Sequence, residues 1–166
     1  MERADAAEEL AKTLNLYFKS NPYTKWFRFF ENVLSSLDAS YYDGNATNTA
    51  IHIDIYSAIA TNPTWGSFSD TEKRDIQRID LFKKLLKILN PDVIVFSANQ
   101  KVFDDVFYQF RLEKCADNIG DKKGFFVRKY KNGDKILISG RNYRGQPFGG
   151  MTDDEIEEAI NQLMYK

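Results

Sequence analysis

The chain has 166 residues, of which 43% are hydrophobic and 14% aromatic, enough for the core of one compact domain and too much for a disordered segment. A net charge of -1 excludes a uniformly basic nucleic-acid-binding surface, and a single cysteine, Cys115, excludes an internal disulfide or a cysteine-built zinc cluster. No apolar run reaches the ~20 residues of a bilayer span and the start, MERADAAEELAK, is too charged for a secretion signal; an intracellular, cytoplasmic setting is expected, or a nucleoid or nuclear one if DNA is the target.

Residues 1–38 are predicted as a helical segment in two parts. Leu10, Leu14 and Phe18 lie about one turn apart, Pro22 interrupts, and Trp26, Phe30, Val33 and Leu37 resume at helical spacing. After the turn-rich YYDGNATN comes AIHIDIYSAIA, where Ile51, Ile53 and Ile55 alternate with His52, Asp54 and Tyr56; this predicts a strand. Ser69 and Glu72 form a capping-box pattern before an amphipathic helix that Pro91 ends. DVIVFSA reads as a central strand buried on both faces, and NQKVFDDVFYQFRLEKC as the following helix, with Cys115 buried late in it. KGFFVRKYKNGDKILISG reads as two strands about an Asn132-Gly133 turn, and Thr152 with Glu155 opens a last acidic helix. The order predicts a single three-layer α/β/α domain over residues 1–166, with a small, mostly parallel central sheet.

In an open parallel sheet, ligands enter beyond the carboxyl ends of the strands. TNPTW, SANQ and SGRNYRG would meet there and bring Asn62, Trp65, Ser97, Asn99, Arg141, Asn142, Tyr143 and Arg144 together. Amides read base edges, aromatic rings stack on bases and arginines fork onto phosphate, so the set suits a nucleotide or nucleic acid. The structural alternatives are equally concrete: Trp65 as a core cover, Asn62 as a turn former, Asn99 as a helix N-cap, and the arginines as solvated charges. His52 and Asp54, two apart on one strand face, are the one histidine–carboxylate pair close in sequence and are candidates for proton transfer, with a plain polar role as the alternative. Residues 120–151 are locally basic, with Lys122, Lys123, Arg128, Lys129, Lys131, Lys135, Arg141 and Arg144 against Asp121 and Asp134. The carboxylates show no convergent spacing, so neither a metal nor a cofactor is expected.

The ordered series NTAIHIDIYSAIATNPTW, LFKKLLKILNPDVIVFSANQKVFDDVF and KILISGRNYRGQPFG resembles the uracil-DNA glycosylase superfamily over roughly residues 45–150. The resemblance implies a base pocket beside Asn99 and a DNA-facing loop at Ser139–Arg144. The loop offers RNYR where the family carries a histidine, and the family's first motif is matched only superficially, by Asn21, Pro22 and Tyr23 in SNPYTKW. A rebuilt catalytic site would then draw on Asn21, His52 and Asp54. Three functions follow as expectations: a nucleic-acid-linked, glycosylase-like domain that hydrolyses the N-glycosidic bond of a damaged base; a non-catalytic interaction domain; and an enzyme of free nucleotides or nucleosides. The expected partners are DNA or a nucleotide, or a protein engaged through exposed aromatics among the 13 phenylalanines and nine tyrosines; no membrane is expected.

Overall fold

A computed structural model of the chain describes residues 3–20, 22–42, 44–55, 65–76, 79–119 and 126–165. Two helices open it, α1 (Arg3–Ser20) and α2 (Thr24–Ser35), separated at Pro22, whose carbonyl accepts from Thr24 N–H at 2.9 Å. Helix α2 buries Phe27, Phe29, Phe30, Val33 and Leu34; of the predicted face Phe30 and Val33 are buried, while Trp26 and Leu37, the latter beyond the helix end, pack half-buried against the same core. Only the end of α1 packs: Phe18 stacks on Tyr41 with ring centroids 4.6 Å apart, while Leu10 and Leu14 remain 59% and 61% exposed.

Two short strands, β1 (Ala39–Ser40) and β2 (Asn48–Thr49), pair in parallel. A 3₁₀ turn at Trp65–Ser67 leads to α3 (Asp70–Ile76), which starts at the expected box: Glu72 N–H donates to Ser69 Oγ, and Ser69 N–H to Glu72 Oε2. Helix α4 (Ile79–Leu89), strand β3 (Val93–Ala98), helix α5 (Gln100–Phe107), strands β4 (Glu113–Ile119), β5 (Phe126–Asn132) and β6 (Lys135–Arg141), and helix α6 (Asp153–Met164) complete the order. β5 and β6 form the expected hairpin, with Gly133 at φ 59° in its two-residue loop. Both halves of the Thr152–Glu155 capping box are made at the start of α6.

The main sheet runs β3-β6-β5-β4. β3 and β6 are parallel, but β5 is antiparallel to both β6 and β4, so the sheet is mixed and the expectation of a mostly parallel one is corrected. Two further expectations change with it. The helix after β3 ends at Phe107 rather than continuing to Cys115, because Phe110 N–H turns back to the Phe107 carbonyl at 2.8 Å and Glu113 opens β4. Cys115 is exposed at a bulge in β4, not buried. The segment Ile51–Ile55 is not a strand: among the described residues its backbone joins no ladder.

Successive residues of β6 enter two cores. Ile136 and Ile138 join Phe30 and Val33 of α2, Val127 of β5, and Ile156, Ile160 and Leu163 of α6. Leu137 joins Phe82 of α4, Phe96 of β3, and Val106 and Phe107 of α5. Each fully buried aliphatic side chain here contributes roughly 1.5–3 kcal/mol of transfer free energy.

Candidate functional site

A cleft of about 1280 Å³ opens between α2, residues 48–55 and the outer edge of β3, and reaches the loop after β6. Ser97, Asn99, Asn142, Arg144, His52 and Asp54 all border it. Six of the residues singled out by sequence therefore share one cavity. Arg141 and Tyr143 do not border it; Asn21 and Asn62 lie outside the described residues, as does the side chain of Trp65.

The loop after β6 is fastened before it presents anything to the cleft. Asn142 N–H donates to the Ala98 carbonyl at 3.2 Å, continuing the β3–β6 pairing by one step. Tyr143 and Gln146 then close a tight reversal, with N–H···O distances of 3.2 and 3.0 Å. Its two central residues, Arg144 and Gly145, have φ of 52° and 73°, as a type I′ turn requires. Arg144 is therefore held in a conformation that side chains other than glycine disfavour, at the rim of the cleft. Phe148 is a second such residue, at φ 53° and 1% exposed. Its N–H donates to Ser97 Oγ at 3.0 Å and its ring covers the bare Cα of Gly140, where a methyl group would overlap it. Gly140, at the end of β6, thus serves close approach rather than phosphate binding.

These bonds reassign two predicted ligand-binding residues. The Ser97 hydroxyl anchors the loop. Asn99 is the N-cap of α5, its Oδ1 accepting from Val102 N–H at 3.0 Å, which occupies one lone pair of that oxygen and leaves the other, with the amide nitrogen, for a ligand. Both guanidinium groups of Arg141 and Arg144 lie beside the Tyr143 ring, 5.1 and 5.2 Å from its centroid. That cation–π contact steadies the arginines without neutralising them.

On the opposite wall His52 is 20% exposed and stands edge-on to Phe27 and Phe30, with centroids 4.9 and 5.5 Å away. Its Nδ1 lies 3.5 Å from the Tyr41 hydroxyl and its Nε2 3.5 Å from Asp54 Oδ1. The hydrogen bond with His52 is the main reason the Asp54 carboxyl sits below its usual range. Sequence reasoning missed Tyr41 and the residue that places it. Glu31 of α2 accepts from the Ser40 hydroxyl and from Tyr41 N–H, the latter at 3.1 Å. Burial, reinforced by the Glu31 charge, pushes the Tyr41 hydroxyl far above the ordinary tyrosine range, so it stays protonated at neutral pH. The Tyr41–His52–Asp54 row can carry a proton, although at 3.5 Å each contact is long for a hydrogen bond.

Lys122 and Lys123 lie outside the described residues, and among the described ones the basic stretch does not form one track. Lys129 turns inward to the Leu163 carbonyl at 2.7 Å, Arg128 pairs with Asp117 at 2.8 Å and Lys135 with Asp92 at 3.0 Å. Among the described residues no cluster of His, Cys, Asp and Glu could hold a metal, and no helix is long and apolar enough to cross a membrane.

The fold defines a class: an α/β domain whose helices accompany one small parallel sheet and one mixed four-stranded sheet. Comparison of the chain with family models, curated proteins and solved structures gave no match.

Proposed function

We propose that the protein binds single-stranded or unstacked nucleic acid, with one base in the cleft and the adjoining phosphate at Arg144. The observation that carries this reading is the meeting of two amide side chains, Asn99 and Asn142, with Arg144 at the carboxyl end of the parallel pair β3 and β6. That is where open α/β sheets take ligands, and the groups match the edges of a base and the charge of a phosphate. The finer architecture belongs to the same reading: α2 and α6 on one face of the sheet and α4 and α5 on the other make three layers, in the order that resembles the uracil-DNA glycosylases.

The Tyr41–His52–Asp54 row on the facing wall supports a chemical step, the hydrolytic release of a base: the C1′–N bond breaks, a water's oxygen bonds to C1′, and His52 takes that water's proton and passes it to the departing base. Binding of a fluorescent single-stranded oligonucleotide at low salt tests the reading. Arg144→Gln is expected to weaken it about tenfold, the value of one charge-assisted contact. Equal affinity in the variant, or no binding by the wild type, overturns the proposal. Incubation with deoxyuridine-, hypoxanthine- or xanthine-containing strands then reads base release, which His52→Gln should abolish; tight binding of free nucleosides alone would point to a small-molecule enzyme instead.

A second reading, an interaction domain, is favoured by α1 rather than by the aromatics, ten of which, among the described residues, join the two cores. Leu10, Leu14 and Leu16 are all more than half exposed on that helix. If they serve a protein partner, Leu14→Glu abolishes that association and leaves oligonucleotide binding unchanged.

A further inference from the structure

β3 reads VIVFSA, without a charge or a proline, yet it is an outermost strand of its sheet. Open apolar edges template pairing with other chains, and proteins cover or charge them. The free side of β3 faces the cleft along its whole length, and the same cleft is bordered by residues 50–55, AIHIDI. Ala50 flanks the β1–β2 ladder, but residues 51–55 make no backbone–backbone hydrogen bond to any described residue.

Their side chains are nevertheless sorted as in a strand. Ile53 and Ile55 pack on the cluster of Phe82, Phe96 and Leu137. His52 stands against Phe27 and Phe30, on the side of α2. β3 divides its residues in the same way, Ile94 and Phe96 to the first cluster, Val93 and Val95 to the second. Sending alternate residues to opposite layers is the property of extended backbone inserted between them, not of a surface loop.

We propose that Ile51–Ile55, which joins no ladder in the structure, has a second conformation in which it docks as a fifth strand parallel to β3 on its free edge and closes the cleft along that side. The direction follows from the connection: α4 lies between the two segments, and a strand–helix–strand crossover joins parallel neighbours. Docking keeps Ile53 and Ile55 over Phe96 and His52 against Phe27, so the backbone moves while the side chains keep their layers. It gives amides and carbonyls on both edges the partners that buried backbone requires. It also turns the single parallel pair into a parallel triplet, with the end of the new strand on the same side as Asn99 and Asn142. The cleft's rim is complete only in the docked state. Docking fills the part of the cleft along β3 and leaves its mouth at the strand ends, so the base of the proposed function sits there, beside Asn99, Asn142 and Arg144.

Residue-resolved amide exchange on the full chain, without ligand, tests it. Every second amide of 51–55 should exchange at least ~tenfold more slowly than in an unstructured peptide of the same sequence, and the amides of β3 not bonded to β6 should be protected with them. Exchange of all of 51–55 at the unstructured rate overturns the proposal. Protection of the outer β3 amides that grows with protein concentration, while 51–55 stays unprotected, also overturns it, because it assigns the edge to a second copy.

Discussion

At the scale of single residues, the cleft depends on two contacts that leave no room for substitution. Gly140 has no side chain because the Phe148 ring occupies that space, and Phe148 in turn holds a positive φ that only close packing sustains. Gly140→Ala is expected to lower stability by about 2–3 kcal/mol in urea unfolding, as overpacking does, and adding Phe148→Leu should recover part of the loss. Tyr41 makes a different demand. Its hydroxyl ionises at a higher pH in the folded protein than the ordinary value of 10.0 that holds in the unfolded chain. Stability on this account is full below the unfolded value and falls as pH rises from there towards the folded one. Tyr41→Phe removes that loss: above pH ~10 its stability should decline less steeply than the wild type's, by up to ~1.4 kcal/mol per pH unit, with little change at neutral pH. Parallel alkaline limbs in the two proteins would show that Tyr41 is not shielded. Neither Tyr41 nor Glu31 could be read as a site residue in the sequence, because their place beside His52 comes from contacts between α2, β1 and the segment after β2.

Among the elements, those whose periodicity reflects a packed face were legible and those created by their neighbours were not. The spacing in α2 reports buried positions at Phe30 and Val33, whereas β3, expected as a central strand buried on both faces, is an edge strand in which only Phe96 is buried. β4, EKCADNI, carries few strand-forming residues and exists because β5 offers it an edge, which is why the sequence read it as helix and loop. In α1 the spacing of Leu10 and Leu14 was real but had no partner to report. The residues of the cleft rim were found because strand ends in such sheets converge by rule, whereas the anchoring of Ser97 and the capping by Asn99 depend on atoms no spacing encodes. One link between elements carries its own test. Lys129 of β5, 6% exposed, donates to the Leu163 carbonyl in the last turn of α6, where helix carbonyls lack partners and a positive charge is favoured. Lys129→Met keeps the stem but not the bond. Relief of the buried ammonium offsets the lost bond, so global stability should move by less than ~1 kcal/mol, while amide exchange in the last turn of α6 accelerates. A large global loss with no local change would mean that the lysine acts by packing alone.

The whole molecule decides how nucleic acid could be held. A net charge of -1 gives no general attraction, and the basic stretch that sequence suggested is divided between a buried lysine, ion pairs on the hairpin and the arginine pair beside Tyr143. Lys114 and Arg128 share the single carboxylate of Asp117, which leaves one net positive charge that does not border the cleft, and Lys135 is turned to Asp92. Binding would then be read mainly through base contacts in the cavity, with Arg144 at its rim neutralising one phosphate. Counterion release sets the expected signature: each neutralised phosphate of a single strand contributes about 0.7 to the slope of log affinity against log salt, so one gives a slope of about -0.7. Titrations at several salt concentrations measure it. Arg144→Gln should make the slope shallower by about 0.7. A slope of about -4 or steeper would show that a basic track away from the cleft does the binding, and the cleft would then be a feature of the fold rather than the seat of the ligand.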